Sequence, residues 1–353
     1  MIAAALALAL AAALPSAPCS AEPPLSYLCG VERPEDVVRI GQSDWLVTSG
    51  FAEGAGLKLI DIRTAQASLW YRGTRDEIAW DRKRFGACPG PVDPALFNTR
   101  GLSVREGTDG TYRLLVVNHG GRESIELFDI DTRPARPALR WRGCILLPSG
   151  HVANSAASFS DGTILVTILT RPGTSITDFV RGGRTGLVMA WRPDGKGFIP
   201  LPGTDLPGNN GLEVSPDDRH YYVVAFGWHA VLKFDRDKGD GPVARLAMPD
   251  FMPDNIHWID GRLVAAGMRL DEPACGGLRG IVDGEADKML CHRGYVVAAM
   301  DGDLTTVSTL AYGEPSPSFN GVSAAAFAGG RIWLGSYQAD RLAWRDDPAA
   351  GKD

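Results

Sequence analysis

Apolar residues fall along this chain in short runs, each closed by Gly, Pro, Asp or Asn. Examples are WLVTS (Trp45 to Ser49), LKLIDI (Leu57 to Ile62), RLLVVNH (Arg113 to His119), SIELFDI (Ser124 to Ile130), TILVTIL (Thr163 to Leu169), HYYVVAF (His220 to Phe226), YVVAAMD (Tyr295 to Asp301) and RIWLGS (Arg331 to Ser336). Most are rich in β-branched or aromatic residues, as strands are. None carries a sustained period of 3.6, so the pattern predicts an all-β chain. The runs recur as a phrase. A turn such as Asp161-Gly162, Pro216-Asp217-Asp218 or Asp260-Gly261 leads into a strand, and a later strand carries an Asp at or near its end, as at Asp61, Asp129, Asp235 and Asp301. The unit returns at roughly 45–55 residues, the range of propeller blades. About six such units fit a single six-bladed β-propeller over residues 22–353. A large β-sandwich or a two-domain β protein is the alternative. Repetition favours the propeller, because radial repeats bury sheet faces against one another without long open edges.

The first residues read differently. Met1 to Leu14 is MIAAALALALAAAL, apolar and uncharged, followed by Pro15, Ser16 and mostly small residues to Ala21. This matches the apolar core and cleavage region of a secretory signal peptide over residues 1–21, without a basic start. The run is short for a bilayer span, which takes about 20 apolar residues, and no later run is long enough. The chain is therefore expected to be exported, periplasmic or secreted, with no membrane span. An oxidising compartment suits its six cysteines, which include no CxxC pair. Cys275 and Cys291 bracket one Gly-rich segment and suggest a local bridge; the remaining pairings stay open. A net charge of −6 without a basic run argues against nucleic-acid binding. Two polar insertions, Arg171 to Thr185 and Met268 to Arg293, suggest loops over one face, where pockets are commonly shaped.

Four phrases set polar residues beside apolar segments: RPEDVVRI (Arg33 to Ile40), HVANSAASF (His151 to Phe159), GNNGLEVSPD (Gly208 to Asp217) and MPDNIHW (Met252 to Trp258). In a propeller the inner strands run along one central channel, so such phrases from different blades can converge. Glu35, Asn154, Asn210, Asp254 and Asn255 would then offer hard oxygens of the kind calcium takes, about six to eight at once. Each phrase alone is equally an ordinary turn or loop.

The ordered set of phrases resembles the paraoxonase/arylesterase family within the gluconolactonase-like propellers, from about Glu35 to Asp346. FNTRGLSV and YRLLVVNHGGRESIELFDI (within Phe97 to Ile130), GNNGLEVSPDDRHYYVVAF (Gly208 to Phe226), PDNIHW (Pro253 to Trp258) and GVSAAAFAGGRIWLGS (Gly321 to Ser336) carry the resemblance. It implies a six-bladed propeller with a central calcium held by Glu35, Asn154, Asn210, Asp254 and Asn255. For a second, structural calcium the family pattern maps onto Asp36 and the Leu102 carbonyl, but meets Ser155 where an Asp is expected. The family's first His is replaced by Arg100, which stays protonated and cannot serve as a base. His119 keeps the place of its partner His. A family bridge between the chain ends has Trp344 in place of its cysteine.

The resemblance implies a calcium-dependent hydrolase of esters or lactones, with Glu35 or Asp254 orienting or deprotonating water, His119 as a relay and Arg100 near the oxyanion or on an anionic substrate. The alternative is a non-catalytic propeller in which calcium pins a surface that binds a small molecule or a protein. Losing the His favours that reading. Carbon–nitrogen bond formation like that of strictosidine-synthase-like propellers is disfavoured by the retained ligand set. A GxSxG nucleophile elbow, a P-loop and a dinucleotide fingerprint are all missing.

Overall fold

The computed structural model describes residues 17–350, apart from 109, 195 and 196. Six antiparallel sheets of at least four strands follow one another along the chain. Blade 1 is Val37–Arg39, Trp45–Thr48, Lys58–Asp61 and Gln66–Leu69. Blade 2 is Thr99–Glu106, Thr111–Asn118, Ser124–Asp131 and Ala138–Leu146. Blade 3 is Val152–Ser158, Ile164–Thr170, Leu187–Trp191 and Phe198–Pro200. Blade 4 is Asn209–Val214, His220–Ala225, Ala230–Asp235 and Pro242–Ala247. Blade 5 is Phe251–Ile259, Arg262–Arg269, Tyr295–Met300 and Val307–Gly313. Blade 6 holds Val322–Ala328, Arg331–Ser336 and Arg341–Asp346, completed by Leu25–Cys29 from the other end of the chain.

The first-listed strand of each blade touches that of the next, and blade 6 returns to blade 1. These inner strands ring a central channel. The chain is therefore a six-bladed β-propeller, as the recurrence of the strand phrase predicts. Burial explains why clean alternation is rare in the sequence. A middle strand such as Leu187–Trp191 is buried at every position, because a neighbouring blade covers each face. Leu165 and Val188 of blade 3 pack with Val223 and Leu232 of blade 4, for instance. Such strands read as continuous apolar runs. The outer strand Pro242–Ala247, by contrast, is exposed or half-buried throughout.

The ring closes by strand pairing. Ser26 lies opposite Trp344 and Cys29 opposite Arg341. Ala17–Glu22 adds a fifth strand at the outer edge of blade 6, with Cys19 opposite Tyr27. Closure at Trp344 thus needs no bridge between the chain ends. Disulfides join Cys19 to Cys29, Cys88 to Cys144 and Cys275 to Cys291, so all six cysteines are paired. The apolar run Met1 to Leu14 lies outside the described residues, and the expected cleavage after Ala21 falls inside the fifth strand. No helix among the described residues is long and apolar enough to cross a membrane.

Both insertions lie over one end of the channel. Met268 to Arg293 folds into two short hairpins, Asp271–Glu272 with Gly277–Leu278 and Ile281–Val282 with Glu285–Ala286, tied by Cys275–Cys291. The segment Arg171 to Thr185 carries a helix, Ile176–Val180, started by a Ser175–Asp178 capping box. Thr177 joins the two insertions: its hydroxyl donates to Glu285 Oε2 (2.9 Å) and accepts from the Ala286 N–H (3.0 Å).

Candidate functional site

A recurrent backbone irregularity builds the site. In blade 2, Thr99 and Leu102 face Asn118 and Val116, so the inner strand holds one residue more than its partner. The same extra residue occurs between Ala153 and Ala156, Asn209 and Leu212, Pro253 and Ile256, and Val322 and Ala324. A β-bulge of this kind bends a strand and re-aims its side chains. The residues inside the bulges are Arg100-Gly101, Asn154-Ser155, Asn210-Gly211, Asp254-Asn255 and Ser323. Blade 1 contributes Glu35-Asp36 immediately before its inner strand. Equivalent positions of the repeat thus place the sequence-predicted residues around one axis. Asn210-Gly211 is inner strand rather than turn. Its glycine is required by close approach: a Cβ at Gly211 would sit 2.4 Å from the Asp254 carbonyl oxygen, and one at Gly101 would sit 2.6 Å from that of Asn154.

Four of the five expected ligands, Glu35, Asn154, Asn210 and Asp254, line one cavity of about 630 Å³ at the insertion-covered end of the channel. Asn255 joins them from beside Glu35. Its Nδ2 donates to Glu35 Oε1 (3.1 Å), and its Oδ1 accepts from Ser155 Oγ (3.3 Å). All five side chains are buried. The backbone under Glu35 is fixed by Ser323 Oγ, which donates to the Glu35 carbonyl (2.5 Å), and by the Asp36 N–H, which donates to Ser49 Oγ (2.8 Å).

Two buried oxygens of this set, Glu35 Oε2 and Asn210 Oδ1, have no hydrogen-bond partner. An unmet buried acceptor costs about 1–3 kcal/mol, more when charged, so such atoms require an explanation. Burial, aggravated by the charges of Asp36 and Asp254, pushes the Glu35 carboxyl well above the usual carboxylate range. Burial likewise raises Asp254 to about 7 against a hydrogen bond from Asn210. Two carboxylates and neighbouring amide oxygens, short of donors, are the chemistry of a hard-cation site. Among the described residues no group of three or more His, Cys, Asp and Glu side chains gathers that could hold a metal ion.

Asp36 is a different case. Its Oδ2 accepts from the Leu102 N–H (2.7 Å), and its Oδ1 from the Val37 N–H (2.8 Å). His257 Nε2 also lies 2.8 Å from Oδ1. Burial opposes charge on His257, yet Asp36 and Glu213 outweigh it and push the imidazole up to about 10. Protein donors therefore already satisfy Asp36, and nothing in the sequence marks His257 beyond its place in the MPDNIHW phrase. Leu102 meets Asp36 through its N–H.

Arg100 lines the cavity beside Glu35. Its Nη1 donates to Asn98 Oδ1 (2.6 Å) and the Thr99 carbonyl (3.2 Å), and its guanidinium lies 3.1 Å from the centre of the Phe51 ring. Burial lowers it to about 10, partly offset by Glu35 and Glu123, so it remains a cation. His119 does not line the cavity. Its Nδ1 pairs with Glu123 (2.5 Å), whose charge acts on Arg100. The insertions supply cavity residues that no sequence motif marks: Phe179 from the helix segment, and Arg279 and Met289 from the disulfide-tied one. Phe51, Phe226 and Tyr337 complete much of the wall. Only the position and composition of the insertions pointed to them.

The fold recurs in solved structures. A proposed gluconolactonase from a structural-genomics programme is 13% identical, with 91% of this chain and 90% of that one covered and a TM-score of 0.52. PQQ-bound aldose sugar dehydrogenase from Streptomyces coelicolor is 13% identical, with 90% and 95% covered and a TM-score of 0.50. A calcium-binding regucalcin from Agrobacterium tumefaciens aligns more loosely, at 12% identity over 94% and 90%, with a TM-score of 0.45. No family model and no curated protein matches the sequence. At these identities the likeness is one of fold. Because the first two differ in chemistry, the fold leaves the reaction to be argued from the site.

Proposed function

We propose that this propeller is a calcium-dependent hydrolase of small esters or lactones, acting at the insertion-covered end of its channel. The observation that carries the reading is the pair of buried, partnerless oxygens, Glu35 Oε2 and Asn210 Oδ1, beside a second buried carboxylate. Glu35, Asn154, Asn210, Asp254 and Asn255 would hold the ion; Asp36, its own donors in place, adds negative charge next to it. When bound, calcium supplies a Lewis acid for a carbonyl oxygen and for the oxyanion that develops on it.

The chain's own residues do the rest. Glu35 and Asp254 face the cavity and can orient a water molecule or take its proton. Phe179, Phe226 and Met289 give the acyl or ring portion an apolar wall and keep bulk water away. Arg100 contributes fixed positive charge beside Glu35. His119 acts at a remove, pairing with Glu123, whose charge acts on Arg100, rather than lining the cavity.

A second reading, a calcium-pinned propeller that binds without turnover, draws support from one observation: Arg100 lines the cavity, while the retained His119 stands outside it. Hydrolysis of a panel of lactones and aryl esters, with calcium and then with chelator, separates the two. Chelator-sensitive turnover is expected. No turnover on the panel, together with a large chelator-induced fall in melting temperature, would sink the hydrolase and leave the binding propeller.

A further inference from the structure

Two guanidinium groups enter the cavity from unrelated parts of the fold. Arg100 comes from the blade 2 bulge, and Arg279 from the disulfide-tied insertion. Both sit against apolar walls, where an uncompensated charge is costly. Neither reaches a carboxylate at ion-pair distance among the described residues. Arg100 bonds only an amide oxygen and a backbone carbonyl through Nη1. Arg279 donates Nε and Nη2 to one acceptor, the Asp287 carbonyl (3.2 and 3.1 Å).

The surroundings hold charge of both signs. Glu35 and Glu123 favour the charge on Arg100 while Arg33 opposes it, and Asp287 and Asp254 favour that on Arg279 while the buried Arg293 opposes it. Arg293 bonds the Leu270 carbonyl (3.0 Å) through Nη1, while its Nε and Nη2 are buried without partners. The rim carboxylates are engaged elsewhere: Glu285 Oε2 accepts from Thr177, and Asp287 Oδ1 from the Met289 N–H. The nearest compensation for Arg100 is the field of Glu35. A cation held by Glu35 and Asp254 would cancel their attraction for the two guanidinium groups. A negative group entering the cavity would restore it, and a guanidinium fork fits a carboxylate.

We propose that Arg100 and Arg279 bind a carboxylate of the substrate, so that the ester or lactone this cavity favours is an anionic one with an apolar body. The inference rests on the hydrolase reading for its reaction, but its binding claim can be measured alone. The test is calorimetric titration of the calcium-loaded protein with phenylacetate and with its neutral counterpart phenylacetamide. Wild type, Arg100→Met and Arg279→Met are compared, each first checked by circular dichroism for its fold. Phenylacetate is expected to bind wild type about tenfold or more tighter than the amide, a difference of about 1.4 kcal/mol. The preference should fall below about threefold in both variants. Equal binding of acid and amide by wild type overturns the proposal. So does a preference that survives both substitutions, since the carboxylate would then sit elsewhere, for example on the metal. Arg279 stands on the insertion rather than in the blade, so its variant keeps the test usable should Arg100→Met fail to fold. Failure of the ester and lactone panel would remove the hydrolase and leave the calorimetric answer intact.

Discussion

Glu35 differs from most buried carboxyls in having one oxygen well placed and the other abandoned. Oε1 accepts from Asn255, while Oε2 has no partner. Without a counter-cation this arrangement is a cost, since a buried charge destabilises unless it is paired. Glu35→Gln keeps the shape and removes the charge. Calcium affinity should therefore fall at least about tenfold by calorimetry, and chelator-sensitive turnover should disappear. In chelator, however, the variant should melt no lower than wild type, because it has shed an uncompensated charge. A variant that melts well below wild type in chelator would show Glu35 to be an ordinary stabilising residue and remove the main support for the ion. Gly211 tests the same site from the backbone side. An added methyl would meet the Asp254 carbonyl at 2.4 Å, and both partners lie in packed inner strands. Gly211→Ala should cost about 3 kcal/mol in urea unfolding and weaken calcium binding with it. Gly280→Ala, where nothing lies within 4 Å, should stay within about 0.5 kcal/mol.

At the level of elements, the recurrent Asp at strand ends has a definite job. Asp61, Asp131, Asp235 and Asp301 each accept the N–H of the residue two positions on, starting the turn out of the third strand of their blades. In blade 2 that residue is Asp131 rather than Asp129, the one the sequence pattern suggests. Hydrogen bonds from Arg63 lower Asp61, and those from Arg133 lower Asp131 to about 2. The Asp237 N–H lowers Asp235, and Thr306 and Thr305 lower Asp301. A carboxyl whose folded value lies below its unfolded one, near 3.9, stabilises the fold above that pH and loses the contribution as pH falls through the folded value. Stability should therefore decline between about pH 4 and pH 2, and Asp301→Asn should flatten part of the decline in an acid titration followed by circular dichroism. An unchanged acid slope would mean that these turns do not set it. Strand content and repeat length were legible because the middle strands are covered on both faces and print as apolar runs. The bulges were not, since one extra residue in an inner strand leaves no pattern, and Asn210-Gly211 reads locally as a turn. The resemblance named the channel residues; the cavity's outer wall stayed hidden because Arg279, Phe179 and Met289 come from insertions whose short hairpins and single helix carry no period.

For the whole molecule, closure of the ring decides where the functional chain can begin. Leu25–Cys29 supplies the fourth strand of blade 6, and Ala17–Glu22 covers its outer edge, locked by Cys19–Cys29. Glu22 also accepts from Ser316 Oγ (2.6 Å), in the connection from blade 5 to blade 6, and from Tyr27 (3.1 Å) of the closing strand. A chain cut after Ala21 keeps the closing strand but loses Cys19, which leaves Cys29 unpaired and most of the fifth strand gone. A cut before Ala17 keeps both. Loop-closure entropy puts the Cys19–Cys29 bridge at about 2–3 kcal/mol, enough to give the longer form a measurable advantage. If the chain is exported and cleaved, the mature form is expected to start upstream of Cys19, to show no reactive thiol when unfolded, and to have an intact mass with three disulfides. Recombinant chains starting at Ala17 and at Glu22 should both fold, with the shorter one melting several degrees lower and labelling at one cysteine. An exported chain that begins at Glu22 with one reactive thiol would restore the sequence-based boundary and make the fifth strand a feature of the precursor alone.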